Sequence, residues 1–499
     1  MRVTNQMVNN TALKNMQRSQ TKVSDTLTQL TTGKRIQKSS DDPVIAMRAL
    51  KLRSTVSQLD QYKSKNIKDA DSWMSVTETS LNTIVGRLSD VYNYCVQGAN
   101  DTFDSAAKSS VADALLSLRD MIYGEGNATY AGRYLFSGFR TGTNLTFATE
   151  DSVTGVSYDI TQSLTSTDFR KKDTVTNPMD YDKIDAYING TEAYEAPRDH
   201  IANVIKLAYD DLEVDPSISF DGKFAADLGF VFATKGPSDK DSYYEVGDNE
   251  IVFIQETGEL VFGDKAYEAL KSTKDIKVNY TKKTFEVGDL RPDHYFDCIK
   301  HEPQPDGTIK DIEFTQPKDG QNIQYEVNFN QYITVNTQGK DVITHAMGND
   351  IEELANALRD WSEIEDTISR MKSLLSDPNY SEDKDKVAKI NQYLKDADVE
   401  LALKRERVTK LFEAGETTFT NYQNQVSAAQ ADIGTRMNKL DMIATRVKEQ
   451  YNNFDELKSS NEDVESEEAI IQFNQANVVY SASLAATSNI LQTTLLDYL

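Results

Sequence analysis

Apolar positions near the start of the chain repeat with a helical period. A spacing of three and four residues joins Leu13, Met16, Val23, Leu27 and Leu30. This spacing places side chains on one face of a helix and is typical of a coiled-coil seam. We therefore predict an N-terminal amphipathic helix whose apolar stripe has to pack against another helix.

Two further helical patterns follow on the N-terminal side, over residues 43–91 and from about residue 105 to residue 121. Each carries apolar residues at intervals of three or four, so each is predicted to bury one face. The same helical spacing of apolar residues returns only after residue 348. The helical parts of the chain therefore lie at its two ends.

The C-terminal side is predicted to contain two helices before the last one. Asn349 or Asp350 could cap the first, and the polar stretch 376–385 ends it with a proline and several acids. The second helix is predicted from about residue 381 to residue 457. At about 1.5 Å per residue it would be a rod of more than roughly 100 Å.

The last segment, from about residue 464, is apolar on more than one face. One heptad line passes through Ile470, Leu484 and Leu491, Tyr480 lies beside it, and Leu495 belongs to a second apolar line. Such a helix must be covered on more than one face, and burial between subunits would supply the cover. The alternative is a helix buried in the core of its own chain. We predict a polymer interface from these five residues and the five of the N-terminal stripe.

Residues 145–347 alternate between apolar and polar positions, which predicts strands. The stretch 244–263 is predicted to form a hairpin with Gly258 at its bend, and residues 201–212 are predicted as a short helix. The fold class is therefore α+β: an elongated rod of N- and C-terminal coiled-coil helices with an inserted β-rich outer domain.

The predicted domain division has three parts. Residues 1–42 and 460–499 are terminal helices that form an inner polymer core. Residues 43–144 and 348–459 form a helical rod, and residues 145–347 form the inserted domain.

The stretch TTGKRIQKSSDDPVIAMRAL, residues 31–50, is predicted to join two helices. Asp41 or Asp42, or the preceding serine, caps the second helix, and Pro43 occupies its first turn, where its missing N–H costs nothing. Both aspartates then lie at the positive end of the helix dipole. This helix joint is predicted to connect the terminal helix with the rod.

Charge is unevenly distributed along the chain. The formal net charge is −25, from 54 basic and 79 acidic residues, which argues against nucleic acid as a partner. Residues 1–70 hold 13 Lys and Arg against 5 Asp and Glu, whereas residues 461–499 hold 6 acids and no basic residue. The two termini are therefore predicted to lie beside each other.

The candidate chemistry is sparse. His294, Cys298 and His301 have the spacing of a zinc site if they lie on a helix, but the surrounding pattern indicates a strand or loop, and a fourth ligand is missing. We expect no cofactor and no catalysis. The two cysteines form no disulfide framework, and no segment predicts a membrane span or a signal peptide.

Three motifs resemble the bacterial flagellin family. The stretch 31–50 resembles the N-terminal segment shared by flagellins and flagellar hook-associated proteins. GRYLFSGFRTGTNLTF, residues 132–147, and the closing LLDYL resemble the hook-associated protein 3 branch, whose members stand at the hook–filament junction. The resemblance covers roughly the first 147 and last 150 residues, and leaves the middle unspecified.

This resemblance implies a structural protein that connects the hook, through hook-associated protein 1, to the flagellin filament. It implies a homo-oligomeric ring, an export chaperone, and release through the flagellar type III system without a cleaved signal peptide. The destination is then extracellular, on the flagellum. Three alternatives stay open: a filament flagellin, a secreted metal-dependent enzyme on a flagellin-like rod, and a surface adhesin.

Overall fold

The computed structural model describes residues 5–100, 105–213, 215–304, 308–317 and 320–496. Helix accounts for 59% of the chain and strand for 17%. Within the described part, no helix combines the length and the apolar character that crossing a membrane requires. Helical regions flank a β-rich middle, so the predicted α+β class is confirmed.

The helices are α1 Asn5–Thr32, α2 Pro43–Gln61, α3 Ile67–Ala99, α4 Ser105–Glu125, α5 Glu150–Val153, α6 Ile184–Asn189, α7 Asp264–Leu270, α8 Pro292–Tyr295, α9 Gly339–Val342, α10 His345–Leu374, α11 Pro378–Ser381, α12 Lys384–Glu462 and α13 Ser466–Leu496. A π-helical turn, Tyr62–Asn66, connects α2 to α3.

The strands are β1 Thr129–Tyr130, β2 Arg133–Tyr134, β3 Ser157–Leu164, β4 Arg170–Thr176, β5 Arg198–Lys206, β6 Ser217–Phe220, β7 Lys223–Phe224, β8 Val231–Lys235, β9 Glu250–Ile254, β10 Glu259–Phe262, β11 Ile276–Lys282, β12 Asp297–Pro303, β13 Ile309–Phe314, β14 Gln324–Asn328 and β15 Gln331–Thr334.

The chain divides into two compact units. Unit 1 consists of residues 1–71, 325–333 and 438–499, and unit 2 consists of residues 72–324 and 334–437. Unit 1 groups residues 43–71 with the terminal helices, whereas the division predicted from the sequence separated them at residue 42. The three-part division by function stays a prediction.

Two sheets form the core of unit 2. One has the strand order β4-β5-β10-β9-β8, and the other has the order β13-β12-β3-β11-β6-β7. Side chains from both sheets share one apolar cluster, which includes Tyr158, Phe220, Phe253 and Leu260. Because strand neighbours alternate between faces, the five-stranded sheet also buries a second, smaller cluster on its other face, around Val252.

The predicted hairpin at residues 244–263 is confirmed. β9 and β10 pair antiparallel with Ile254 opposite Glu259, and Gly258 at the bend has a positive φ of 62°. A Cβ at Gly258 would lie 2.2 Å from the carbonyl oxygen of Tyr209, so both conformation and space require glycine there.

Two sequence predictions in unit 2 are wrong. Residues 201–206 belong to strand β5, not to a helix, since the run of apolar residues is buried on both faces of the five-stranded sheet. Helix α10 begins earlier than predicted: Thr344 caps it by accepting a hydrogen bond from the amide of Met347. Asp350 instead pairs with Arg170 and accepts a 2.7 Å hydrogen bond from Tyr422.

The sequence predicted one long helix here, and the buried side chains of α12 have heptad spacing. Its fully buried side chains recur every seven residues: Phe412, Phe419, Val426, Ile433, Leu440 and Val447. Gly415 and Gly434 do not interrupt the helix. At Gly415 a Cβ would lie 2.9 Å from the sulfur of Cys95, so this glycine permits a close approach between α12 and α3.

Candidate functional site

The first and last helices, α1 and α13, pack side by side in unit 1. The hydroxyl groups of Ser19 and Ser483 lie 3.3 Å apart, and Lys34 forms an antiparallel bridge with Asp463. These two pairs fix the helices as antiparallel. The buried residues between them are small: Thr26 on α1, and Ala469, Ala476 and Thr487 on α13.

The large side chains of the helix pair lie mostly outside this small-residue seam. Among the predicted interface residues, Met16, Val23, Leu30 and Tyr480 are half-buried, whereas Leu13, Leu27, Ile470 and Leu484 are exposed. Leu491 and Leu495 belong to α13, but their side chains fall outside the described residues. The single chain therefore leaves much of the predicted interface in contact with water.

Other apolar residues on the same two helices share this exposure. Ile471, Val478 and Val479 on α13 and Met7 on α1 are all exposed, Val478 to 69%. Large exposed apolar side chains concentrated on two packed helices indicate an interaction site. The exposed surface of α1 and α13 is the candidate functional site, and we call it the terminal apolar surface.

The joint between α1 and α2 is built from the motif that the sequence singled out. Asp42 caps α2 by accepting hydrogen bonds from the amides of Val44 (2.9 Å) and Ile45 (3.0 Å), and Pro43 is the first residue of the helix. Asp41 does not cap α2. Its carboxylate accepts from the amides of Lys38 and Gln37, and those hydrogen bonds lower its pKa.

A short backbone ladder ties this joint to the connection between α12 and α13. The amide of Arg35 donates to the carbonyl of Glu462 at 2.7 Å, and the amide of Val464 donates to the carbonyl of Gly33 at 3.0 Å. Gly33 has a positive φ of 66°, which glycine adopts without strain as the chain leaves α1. Segments more than 420 residues apart in sequence are thereby held together.

An ion-pair cluster reinforces the ladder. The carboxylate of Glu462, which is only 2% exposed, accepts hydrogen bonds from Arg53 at 2.6 and 2.7 Å. Lys34 pairs with Asp463, and this hydrogen bond, followed by one from Ser459, lowers the pKa of Asp463. The bond to Glu462 raises the pKa of Arg53. Two basic residues thus neutralise the acidic end of α12.

The oppositely charged termini of the chain meet, as the sequence predicted. Lys34 and Arg53 make the contacts. Lys14, Arg18 and Lys22 are exposed and form no ion pair within the described residues. The reason is the antiparallel arrangement, which brings the acids at the start of α13 to the end of α1.

The π-helical turn between α2 and α3 is a feature that the sequence reading missed. It is braced by the hairpin of β14 and β15, because Tyr62 donates to Glu326 at 2.9 Å and Asn66 donates to the carbonyl of Glu326 at 2.8 Å. The ring of Phe329 meets that of Tyr62 edge to face at 5.5 Å. Burial, together with the Glu326 bond, raises the pKa of Tyr62 to about 12.

The three candidate zinc ligands are not arranged on one helix face. His294 lies in the single turn α8, where its Nε2 is 2.9 Å from the carbonyl oxygen of Asn144. Cys298 and His301 belong to strand β12, with His301 between Asp311 and Asp159. The described residues include no group of three or more His, Cys, Asp or Glu that could hold a metal ion.

The environments of these side chains also differ. Burial lowers the pKa of His294 and raises that of Cys298 to about 12, so the thiol stays protonated at neutral pH. The hydrogen bond to Asp311 raises the pKa of His301. Each group therefore has its own protein partners or an apolar setting, and the three do not form one site.

Both ends of the chain match models of one protein family. Residues 3–141 match the bacterial flagellin N-terminal helical region, and residues 418–499 match the bacterial flagellin C-terminal helical region. Together these matches cover less than half of the chain. The helical ends of this chain are thus similar to the helical regions of bacterial flagellins, which confirms the resemblance noted in the sequence.

Curated relatives narrow this resemblance. Flagellar hook-associated protein 3 of Salmonella typhimurium is 29% identical over 142 residues, which are 28% of this chain and 44% of the relative. The protein of the same name from Escherichia coli is 31% identical over 116 residues, or 23% of this chain and 36% of the relative. The chain therefore spans less than half the length of these two relatives.

A flagellin from Clostridium tyrobutyricum is 28% identical over 211 residues, which are 38% of this chain and 55% of the relative. Solved structures include a flagellar hook-associated protein from Vibrio parahaemolyticus, with 13% identity, 85% coverage of this chain, 100% of that chain and a TM-score of 0.38. The flagellar junction protein of Legionella pneumophila has 11% identity, 79% and 99% coverage and a TM-score of 0.29.

Proposed function

We propose that this chain is a structural protein of the bacterial flagellum that joins the hook to the flagellin filament. Stretches of 142 and 116 residues of this chain match relatives named flagellar hook-associated protein 3. The observation that carries the proposal is the terminal apolar surface, on which Leu13, Leu27, Ile470 and Leu484 remain exposed in the single chain.

Burial of this surface supplies the free energy of assembly. A fully buried aliphatic side chain contributes roughly 1.5–3 kcal/mol relative to an exposed one. Exposed ion pairs contribute under about 1 kcal/mol each, so a few covered leucines outweigh them. Apolar burial therefore drives assembly in this proposal, and charge sets the pairing and orientation.

The partners follow from the same proposal. Copies of the chain form a ring through heterologous contacts, in which different patches of identical subunits meet. One face of the ring contacts hook-associated protein 1 and the other contacts flagellin. Before export through the flagellar type III system, a chaperone covers the terminal apolar surface, and the exported protein is extracellular.

Deletion of the gene tests the proposed function. We expect cells that keep their hooks, lose their filaments and release flagellin into the medium, as seen by electron microscopy and immunoblotting. A plasmid copy of the unchanged gene should restore the filaments. Normal filaments in the deletion strain would contradict the junction role.

Truncation tests the part played by the last helix. Removal of residues 485–499 should leave unit 2 folded, because none of these residues belongs to it. The truncated chain should fail to restore filaments, while circular dichroism still shows cooperative unfolding of the rest. A truncated chain that still joins filament to hook would sink the proposed mechanism.

A filament flagellin is the second candidate, and the match that extends over 55% of the Clostridium flagellin favours it. The two candidates differ in abundance. A flagellin would be the main protein of sheared, purified filaments, whereas a junction protein would be a trace component that stays with the hook. Quantitative mass spectrometry of both fractions separates them.

The remaining alternatives have less support. A metal-dependent enzyme would need His294, Cys298 and His301 to act together, and their separate settings do not favour it. Stoichiometric zinc in the purified protein, lost in His294→Ala, would revive this alternative. An added adhesive role would reside in unit 2, and a binding assay with the filament-free protein tests it.

A further inference from the structure

Three basic side chains form a stripe along α1. Lys14, Arg18 and Lys22 follow one another at intervals of four residues, so they lie one above the other on the same side of the helix. All three are exposed. A shallow groove on this face is lined by Lys14, Gln17, Arg18, Thr21, Lys22 and Asp25.

The neighbouring helix of the same chain offers this basic stripe no acidic partner. Between residues 469 and 496, α13 contains no Asp, Glu, Lys or Arg. Because Ser19 lies beside Ser483 in the antiparallel pair, Arg18 is level with this uncharged part of α13. An acidic partner for the basic stripe therefore does not come from this part of α13 in the same chain.

The acids of α13 are concentrated at its start. Glu465, Glu467 and Glu468 are all exposed, and their carboxylates lie at the positive end of the helix dipole. The Lys34–Asp463 bridge places this acidic start level with the C-terminal end of α1. Because Ser19 is level with Ser483 and Glu467 lies 16 residues before Ser483 on α13, Glu467 is about 24 Å along the helix axis from the level of Ser19.

We propose that the basic stripe of α1 binds the acidic start of α13 in a second copy of this chain. The proposal rests on the proposed function, since it specifies a contact between copies in the ring. A copy displaced by about 24 Å along the helix pair brings the acidic start, around Glu467, level with Arg18 at the middle of the basic stripe.

Charge complementarity between two exposed surfaces of one chain selects this partner. The contact is heterologous, because the stripe of each copy meets the acidic start of the next copy, and it therefore repeats around an assembly. It also fixes the axial offset between neighbours, which an apolar surface alone does not determine. Burial of the terminal apolar surface drives the association of the copies, and the charged contact sets the axial offset between them.

Disulfide cross-linking tests the contact directly. The double variant Arg18→Cys/Glu467→Cys should give a ladder of covalent oligomers when isolated flagella are oxidised. Within one chain the two positions are about 24 Å apart along the helix axis. Disulfides form when the Cα atoms are within about 7 Å, so the bond has to join two copies. The native Cys95 and Cys298 are buried and should not contribute.

The matched control is Gln20→Cys/Glu467→Cys, because Gln20 is exposed on a different side of α1 from the stripe. This variant and both single-cysteine variants should give no ladder. If Arg18→Cys/Glu467→Cys is incorporated into flagella and gives no ladder, the proposed contact is wrong.

Charge reversal provides a second test that does not depend on cysteine chemistry. We expect Lys14→Glu/Arg18→Glu/Lys22→Glu to lower the number of filaments per cell about tenfold, since three weak pairs become repulsive. Glu465→Lys/Glu467→Lys/Glu468→Lys should do the same. The combined six-fold variant should restore filaments, because the pairs re-form with opposite sign.

The control for net charge combines the stripe reversal with Glu192→Lys, Asp199→Lys and Glu382→Lys, three exposed acids of unit 2. This control variant should not restore the filaments. If cells with the combined six-fold variant carry no more filaments than cells with the stripe reversal alone, the proposed contact is wrong. Normal filaments in the strain that lacks the gene would overturn the proposed function instead, so the two results are distinguishable.

Discussion

The terminal helix pair and the sheet core of unit 2 use apolar side chains in opposite ways. In unit 2, Phe253 and Leu260 have no exposed surface, because two sheets of the same chain cover them. In the helix pair, Thr26 and Ala476 are buried, while Leu484 is 49% exposed. Unit 2 completes its core within one chain, and the helix pair does not.

The same contrast holds for the units as a whole. Sixteen of the twenty-five large hydrophobic side chains that are exposed among the described residues belong to unit 1, which is less than a third of the chain. Scattered exposed apolar residues are normal on a protein surface, but this concentration is not. Stability should therefore reside in unit 2, and assembly in unit 1.

The largest loss of stability is expected from a cavity in the core of unit 2. Phe412 on α12 is 0% exposed, and its ring lies within reach of a Cβ built at Gly98 on α3. Phe412→Ala should lower the free energy of unfolding by about 3–5 kcal/mol, measured by urea titration. A loss below about 1 kcal/mol would contradict the claim that this contact belongs to the core.

Overpacking the same contact should have the next largest effect. A Cβ at Gly98 would lie 2.1 Å from the Phe412 ring, whereas nothing lies within 4 Å of a Cβ at Gly86 on the same helix. Gly98→Ala should therefore destabilise by about 1–3 kcal/mol. The matched variant Gly86→Ala should stabilise by up to about 1 kcal/mol, since alanine favours a helix. Equal effects from the two variants would refute the close approach.

Acid should weaken unit 2 through His345. Burial lowers the pKa of this histidine to about 3, and its ring packs against those of Tyr209 and Tyr295. Below the ordinary histidine pKa of about 6.5, the unfolded chain binds a proton that the folded chain does not, so stability falls as pH decreases toward 3.

The change from pH 6.5 to pH 5 should cost about 1–2 kcal/mol through this group. His345→Phe should remove this part of the slope, which is measured as the difference between the variant and the unchanged protein across the pH range. Parallel pH profiles for the two proteins would show that His345 is not responsible.

In unit 1, the largest effect is expected at the joint. Glu462→Ala removes both hydrogen bonds to Arg53, whose side chain is 57% exposed and can bind water instead. The loss should therefore be modest, about 1–2 kcal/mol. Faster hydrogen exchange at the amides of Arg35 and Val464 is the measurement. Glu462→Gln, which keeps an acceptor, should lose less, and equal losses would argue against the hydrogen bonds as the cause.

The smallest effect on stability is expected on the terminal apolar surface. Leu484→Ser should change the free energy of unfolding by less than about 0.5 kcal/mol, because the side chain is already exposed to water. The same variant should reduce filament attachment, which electron microscopy measures. Ala476→Ser, at a buried position between the two helices, is the matched control. This variant should mainly lower the free energy of unfolding. A large loss of stability from Leu484→Ser would show that this residue is covered within its own chain.

Sequence periodicity predicted the helices and the hairpin well, because burial repeats at fixed intervals. The long helix α12 and the bend at Gly258 are examples, and Asp42 is one of the three caps that the sequence allowed before Pro43. The prediction of a helix at residues 201–206 was wrong, because a run of apolar residues does not distinguish a short buried helix from a strand buried on both faces.

The candidate site was predictable only in part. The sequence identified the large residues on α1 and α13, but not the small residues between them, since Thr26 and Ala476 carry little hydrophobic signal. The sequence also could not show which residues of α1 lie beside which residues of α13. The pairing of Lys34 with Asp463 depends on the antiparallel register, and the π-helical turn at Tyr62 is stabilised by a hairpin some 260 residues away.

The backbone ladder between residues 33–35 and 462–464 has a consequence for the life of the chain. A ribosome makes residues 33–35 more than 420 residues before residues 462–464, and loop closure over such a distance is entropically costly. The joint therefore closes only on a chain made at least as far as Val464. A product that terminates before these residues lacks the closing segment and cannot form the ladder.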